Sequence, residues 1–510
     1  MPTNFIGCDR DQAFLMPPSL REWLAEDHLA WFVIDAVADM DLSAFYADYR
    51  SDGHGRPAYE PAMMVALLLY AYATEQRSAR AIERHLRQDV AYRVISANVV
   101  PDHATIARFV VRHEAALGEL FGAVLGLCAK AGLVGTGVVA IDGTKLKASA
   151  SPEANLDYGQ LAREILAEAK ALDEAEDELY GEARGDELPE GLRTAEGRRA
   201  WLARAKRERE AERTEDEATG EPCEGAADDA PVVRRGADQG RRGWLREARR
   251  ELDERRRLEA QPVPRSRSER LLEASGRLDE ELETERQANA AYEAYRARGR
   301  MKDGRRFGRP PKPQQLPQVP TGKVNLTDPD SRLLKVRGGY VQGYNAQAAV
   351  TEEQIVVAAE VTVDSPDFGQ LEPMVDAALK ELRKAGVEQA PQVAVADAGY
   401  WHHDQIDNVA ARGIAVLIPP DSRNRKGGRP GWEGGRYAWM RWLLATELGK
   451  RLYRKRSQTV EPMFGHTKHN RCFERFHRRG RGAVRTEWRL IAATHNLAKL
   501  HRHQAAAAVG

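Results

Sequence analysis

Residues Gly137-Val-Val-Ala-Ile-Asp-Gly-Thr-Lys-Leu-Lys-Ala148 decide the fold class. Val138, Val139 and Ile141 are β-branched and lie in an unbroken apolar run, the pattern of a strand covered on both faces. The run ends on a carboxylate, Asp142. A second run, Pro391-Gln-Val-Ala-Val-Ala-Asp397, has the same form. An ionised, unpaired carboxylate in an apolar strand costs several kcal/mol. Each aspartate therefore meets a cation or caps a turn, and Asp142-Gly143 and Asp397-Ala-Gly399 do carry turn chemistry. In open α/β sheets, strand ends are also where ligands bind.

Working outward, Gly339–Val350 and Gln354–Val363 are β-rich, and the Thr351-Glu-Glu between them predicts a hairpin. Leu371–Ala385 has an amphipathic helical period, His402–Arg412 reads as helix, and Ile414–Pro419 as another buried strand. Arg451–Asn470 and Trp488–Leu500 read as the closing helices. The order is strand, strand, strand, helix, strand, helix, strand, helix.

Residues 1–135 read as an all-α N-terminal domain. Ala62–Ala73 lacks Gly and Pro and is apolar nearly all round, as in a buried central helix. Ser78 can cap Ala79–Asp89, with Ile82 and Leu86 on one face. Asp102 can cap a helix whose stripe is Ile106, Phe109 and Val110, while Arg108 and Arg112 project elsewhere. Short helices in series with a basic one resemble a helix-turn-helix reader, so both arginines are candidate DNA contacts.

Residues 151–310 differ in kind: 72 of these 160 are charged, nearly twice the density elsewhere. Leu161–Leu179, Gly197–Asp216, Trp244–Leu258 and Ser268–Arg298 are rich in helix formers, with only a thin seam at Leu271, Leu278 and Leu282. They read as a charged helical or coiled-coil insertion, jointed through a disordered stretch around 219–240. Arg305–Lys312 and the prolines after it read as an extended linker, and Gly308-Arg309-Pro310 echoes minor-groove motifs. The domain boundaries read from this are 1–135, 136–150 for the first core strand, 151–320 for insertion and linker, and 321–505 for the rest of the core.

The 510 residues carry 77 basic and 77 acidic side chains, so net charge alone argues against a polyanion binder. Its distribution reverses that reading. Residues 421–510 hold 21 basic and 6 acidic groups, the footprint of a phosphate-rich partner. The four cysteines are scattered, which fits a reducing compartment and no structural zinc. His402, His403, His466 and His469 lack the cysteine or paired histidine that would complete a tetrahedral site. No apolar run is long enough to span a bilayer, and no secretory signal is seen. A cytoplasmic, nucleoid-associated protein is expected.

A third acid lies in the basic region, in Tyr453-Arg-Lys-Arg-Ser-Gln-Thr-Val-Glu461-Pro-Met-Phe-Gly-His-Thr-Lys468. With Ala140-Ile-Asp142-Gly-Thr-Lys145, Val395-Ala-Asp397-Ala-Gly-Tyr400, Gly55-Arg-Pro-Ala-Tyr59 and Asp102-His-Ala-Thr-Ile106, it makes the chain resemble the DDE transposases of bacterial insertion sequences. The likeness is to the group with a Tyr-Arg-Glu-Lys signature. One spacing departs from that signature, which would put its arginine at Ser457. Arg456 keeps the gap from Tyr453, whereas 100° per residue puts Arg454 on the face of Glu461; the choice stays open. Pro462 predicts a kink there.

The resemblance implies an α/β fold: an RNase H-like core with a mixed five-stranded sheet, Asp142 on its first strand, Asp397 after its fourth and Glu461 on the helix after its fifth. Catalytic residues would be Asp142, Asp397, Glu461 and Lys468. The three acids would hold two Mg²⁺ ions, with Mn²⁺ able to substitute, for in-line phosphoryl transfer. DNA contacts would come from Tyr453, Arg454, Arg456, Lys468, Arg471, Arg478, Arg479 and Arg481. Terminal inverted repeats and target DNA would be the partners, and pairing two ends implies a homodimer or larger synaptic assembly. An RNase H-fold nuclease and a non-catalytic DNA-binding regulator are the alternatives.

Overall fold

The computed structural model describes residues 19–49, 58–180, 241–258, 266–298, 301–302, 305–306, 312–313, 317–336, 338–421 and 432–509. The helix read at Gly197–Asp216, the joint at 219–240, and the motifs at Gly55-Arg-Pro and Gly308-Arg309-Pro310 lie outside those residues. The chain forms two compact units, 1–153 with 328–510, and 154–327.

In the first unit, β1 (Val138–Lys147) begins with four fully buried residues, as its apolar run requires. It lies antiparallel to β3 (Gly339–Thr351), with Asp142 opposite Ala348. On its other edge it is parallel to β5 (Val393–Val395), which is parallel in turn to β6 (Ala415–Leu417). β3 is antiparallel to β4 (Val356–Thr362), the expected hairpin partner. The order β4-β3-β1-β5-β6 is that of an RNase H-like mixed sheet. A sixth strand, β2 (Arg332–Val336), was not foreseen. It turns at Gly338, whose φ of +91° suits glycine, and pairs with Gly339–Gly343 of β3. Because β1 takes one edge of β3, β2 and β4 share the other.

Small residues make β3 a central strand: Ala346, Ala348, Ala349 and Val350 are all inaccessible. Helix α1 (Pro61–Ala73) is buried over nine consecutive residues, matching its uniform apolarity. It packs with α6 (Arg481–Val509), which also lies against α3 (Glu114–Lys130) and β4. Helix α2 (His103–Arg112) starts as its sequence indicates, Asp102 accepting the Thr105 N–H at 2.7 Å. The N-terminal helices and the sheet share one continuous apolar core. A buried pair, Arg489 Nη2 to Glu381 Oε1 at 2.9 Å, joins α6 to α4 (Leu371–Lys384).

The second unit has its own small core. Leu161, from the helix Tyr158–Tyr180, packs with Leu271, Ala274 and Leu278 of the helix Arg267–Arg298 and with Val324. Val324 belongs to a short strand, Lys323–Asn325, antiparallel to Asn155–Asp157. The thin leucine seam thus packs on a helix and a strand. Trp244, on the helix Arg241–Leu258, meets Tyr295 edge-on at 5.6 Å. Arg305–Arg306 pairs with Met301–Lys302, so the start of the supposed linker is a small hairpin.

Candidate active site

Register brings the first two acids together. β1 and β5 are parallel, with Ala140 opposite Val395, and continuing both chains by two residues sets Asp142 beside Asp397. Neighbouring strands are about 4.8 Å apart, so the carboxylates share one end of the sheet. Asp397 also caps a turn, its Oδ1 accepting the Gly399 N–H at 2.8 Å, and Asp142 Oδ1 accepts the Gly143 N–H at 2.8 Å. Turn chemistry and site geometry coexist. Burial pushes the Asp142 carboxyl up to about 7; the Arg456 guanidinium opposes this, and the Asp397 charge adds to it. Asp397 is raised as well, first by burial, with the Asp367 charge contributing.

The third acid comes from α5 (Glu447–Gly465). Arg456 Nη1 lies 3.4 Å from Asp142 Oδ2 and 2.9 Å from Glu461 Oε1. One guanidinium nitrogen thus holds two of the three carboxylates, and their oxygens stand no further apart than those two distances combined. Glu461 remains half exposed, at 54% against 17% for Asp142. Facial geometry had pointed to Arg454; in the structure Arg454 faces solvent, and the long Arg456 side chain reaches across. Pro462 does not end the helix, which runs unbroken to Gly465. The carbonyl that Pro462 cannot serve is Gln458 O, four residues back, and it accepts a hydrogen bond from Gln354 Nε2 at 3.1 Å. A π-turn, His466–Asn470, follows. From it Lys468 Nζ donates to Lys145 O at 3.1 Å, and burial lowers the Lys468 pKa. Tyr453 is half-buried on α5.

Sequence reasoning missed a fourth acid. Asp367 Oδ1 accepts from Asn345 Nδ2 and Gln347 Nε2, both at 2.8 Å, and its Oδ2 lies 3.8 Å from Lys145 Nζ. Gln347 Oε1 accepts the hydroxyl of buried Tyr400. No local signal marked it, since Asp367 lies beyond the end of β4 and its partners are on β3.

Oxygen donors of this kind suit a hard divalent cation. Among the described residues, however, no three of the His, Cys, Asp and Glu side chains are grouped closely enough to hold an ion as placed. A positive group, Arg456, already bridges Asp142 and Glu461, so the local field is one that a cation satisfies. The histidines considered for zinc have other tasks. His402 Nδ1 accepts the Gln405 N–H at 3.4 Å, and His403 Nε2 meets Tyr437 Oη at 2.6 Å. His469 is exposed and His466 half-buried.

The candidate DNA contacts fall into two groups. Arg108, Arg112, Arg454 and Arg479 are exposed. Arg112 also donates to Asp48 O, and Arg479 Nε to Ser149 O at 3.0 Å. Arg471, by contrast, is an internal strut: it is buried and donates to Tyr72 O at 2.9 Å, Ile491 O at 3.2 Å and Thr494 Oγ1 at 2.7 Å. Arg478 Nη2 pairs with Glu114 at 2.5 Å, and Arg481 Nε donates to Val361 O at 3.2 Å. The loop carrying these residues is fixed by buried Glu487, which accepts the backbone N–H groups of His477 and Arg478. Its Phe476 N–H donates to Lys147 O at the end of β1 at 2.8 Å.

Sheet order, aspartates on two neighbouring parallel strands and a Glu461-bearing helix after the last strand define an RNase H-like α/β protein. Residues 18–112 match a transposase domain (DUF772), and residues 432–501 match a transposase DDE domain. Both matches are to transposase domains, one N-terminal and one C-terminal, and both support a likeness to the DDE transposases. The second match contains Arg456, Glu461 and Lys468; Asp142 and Asp397 lie outside it. No curated protein and no solved structure matches the chain. Among the described residues no helix is long and apolar enough to cross a membrane.

Proposed function

We propose that the protein cleaves DNA at the ends of an insertion sequence and joins them to target DNA, using Asp142, Asp397 and Glu461 to hold two Mg²⁺ ions, with Mn²⁺ as a substitute. The observation that carries this reading is the Arg456 bridge: acids more than 300 residues apart in sequence converge on one cationic group. The bound ions would activate the attacking oxygen and stabilise the leaving 3′-oxygen. Binding them requires Arg456 to release Asp142 and Glu461, and the freed guanidinium is then available to a DNA phosphate. Lys468, tied to the β1 backbone, sets a second positive charge beside the scissile position. Exposed Arg454 and Arg479, with half-buried Tyr453, extend the contact along the backbone, and Arg108 and Arg112 supply a further contact from the N-terminal helices. Arg471 has no part in this set, because its guanidinium is spent on the interior. Holding two ends together calls for a dimer or larger synaptic assembly acting at the nucleoid.

The test is Mg²⁺- or Mn²⁺-dependent cutting and joining of DNA carrying the inverted repeats that flank the gene. Asp142→Asn, Asp397→Asn and Glu461→Gln are each expected to abolish both steps, by 10³-fold or more, while leaving DNA affinity in place. Undiminished cutting by any one variant removes that residue from the site. Cutting without joining of the 3′-hydroxyl end identifies a nuclease, and affinity without cutting by the wild type identifies a regulator.

A further inference from the structure

β5 covers one edge of β1 only from Val138 to Ala140, where Gly137 O accepts the Val393 N–H at 3.0 Å. Backbone groups alternate sides along a strand, so Lys145 and Lys147 turn their carbonyls to the same edge as Gly137. Beyond Ala140 that edge is met by groups of the C-terminal region. Lys468 Nζ donates to Lys145 O at 3.1 Å, the Lys147 N–H to Glu474 O at 3.0 Å, and Arg479 Nε to Ser149 O at 3.0 Å. With Arg456 at Asp142, cationic side chains follow this edge outward from the acids. From Asp142 to Lys147 the strand advances about 17 Å. That matches about five nucleotide steps of one DNA strand.

The outer end of this line is a loop held in an unusual way. Residues 474–476 lie along Lys147 as a parallel bridge, with Phe476 buried and Arg475 exposed. Arg475 O accepts from Arg77 Nη1 at 2.7 Å, and Arg77 comes from the turn after α1. The same nitrogen lies 3.2 Å from Glu487 Oε1 on α6, with side-chain exposures of 8% for Arg77 and 0% for Glu487. The Glu487 carboxylate also accepts the N–H groups of His477 and Arg478. A buried ion pair adds little net stability once desolvation is counted. Here both charges spend their polar atoms on the backbone of one exposed loop, so what they secure is its shape. Glu474 is the single acid between Glu461 and Glu487, so that shape presents an excess of positive charge.

We propose that Arg77 and Glu487 are positioning residues for a DNA-phosphate track that leaves the acids along the open edge of β1, with Arg475 as a phosphate contact on it. This rests on the DNA reading above and adds to it a path and two residues that touch no DNA. It also gives the N-terminal helices a part in the catalytic unit, since Arg77 reaches the loop from their side.

The experiment is equilibrium binding of duplex DNA carrying the flanking inverted repeat to the full-length protein, without divalent ions, over a salt series. Arg475→Ala is expected to weaken binding about threefold or more at about 0.1 M salt, and to make the slope of log K against log salt shallower by about 0.9. Glu487→Gln removes a negative charge, so electrostatics alone predicts tighter binding. Positioning predicts the opposite: a loss like that of Arg475→Ala, with little further loss when the two are combined. Unchanged or tighter binding by Glu487→Gln, or additive losses in the double variant, overturns the positioning role. Wild-type affinity and slope in Arg475→Ala overturns the track. The DNA reading survives either result as long as the wild type binds and cuts, and a wild type without salt-dependent binding overturns that reading itself. Should Glu487→Gln fail to fold, Arg77→Lys takes its place. It keeps the charge but lacks the fork that serves both Arg475 O and Glu487, and it is held to the same loss.

Discussion

Burial of Asp142 carries a cost to the fold at neutral pH. Its carboxyl is held at about 7, against an ordinary value of 3.8, chiefly by burial. The folded state therefore binds a proton more tightly than the unfolded chain. Stability from this residue is complete below pH 3.8 and is lost as pH rises through 7. Arg456 limits the loss without cancelling it. Asp142→Asn removes the titration and is expected to melt higher than the wild type at pH 8, by a few kcal/mol of stability. The advantage shrinks steadily as pH falls below 7 and is gone only near pH 3.8. Denaturant unfolding of metal-free protein at several pH values checks both the sign and the window. A variant less stable than the wild type at pH 8 would mean that the ionised carboxylate is well satisfied without a cation. At the same scale only part of the candidate site can be read from local pattern. Asp142 and Asp397 were legible because each closes a local apolar run. Asp367 was not, because its partners Asn345 and Gln347 lie on a different strand and no local pattern names them. The choice between Arg454 and Arg456 stayed open for a related reason: face angles describe Cα positions, while a guanidinium on a long stem reaches well beyond them.

At the level of elements, the strands that present the acids depend on one tight crossing. Lys147 at the end of β1 is opposite Gly343 of β3, where β2 also begins to pair. A Cβ at Gly343 would stand 2.1 Å from Leu146 O and 3.0 Å from Leu146 C. Both are backbone atoms, so no side chain can yield. Gly343→Ala is expected to cost about 3 kcal/mol or more and to disturb the register that aligns Asp142. Gly339→Ala, four residues away with nothing within 4 Å of the new methyl, is the control and is expected to be neutral within about 0.5 kcal/mol. Thermal unfolding of the pair checks this, and equal midpoints would show that β3 can slide. The helix-to-strand alternation of the core was readable from period alone. The short β2 was not, being a five-residue strand created by its pairing partner, and the survival of α5 through Pro462 was not either. That helix persists because Gln354, more than a hundred residues earlier, serves the stranded carbonyl of Gln458. Local rules predict a kink at Pro462, and a tertiary hydrogen bond serves the carbonyl that the proline cannot.

For the whole molecule the question is what residues 154–327 contribute to the rest. Their charge density suggested a solvated spacer, yet they bury Leu161, Leu271, Ala274, Leu278 and Val324 together and form a unit of their own. The other unit builds its apolar core entirely from residues on either side of that segment. Two cores of such different size should melt separately. Calorimetry of the intact chain is expected to show two transitions, the smaller and lower belonging to 154–327. Replacing 154–327 by a short Gly/Ser linker between Glu153 and Asp328 is expected to delete that transition and leave the other within a few degrees of its original position. The closure cost of such a linker is small because chain entropy changes only slowly with loop length. A remainder that no longer melts cooperatively would show that the insertion carries part of the core's stability. If the larger transition survives, the acids, Arg456 and the sheet that aligns them form a self-sufficient scaffold. The insertion would then be free to serve a step other than holding the carboxylates in place, and cutting and joining assays on the shortened protein would separate those steps.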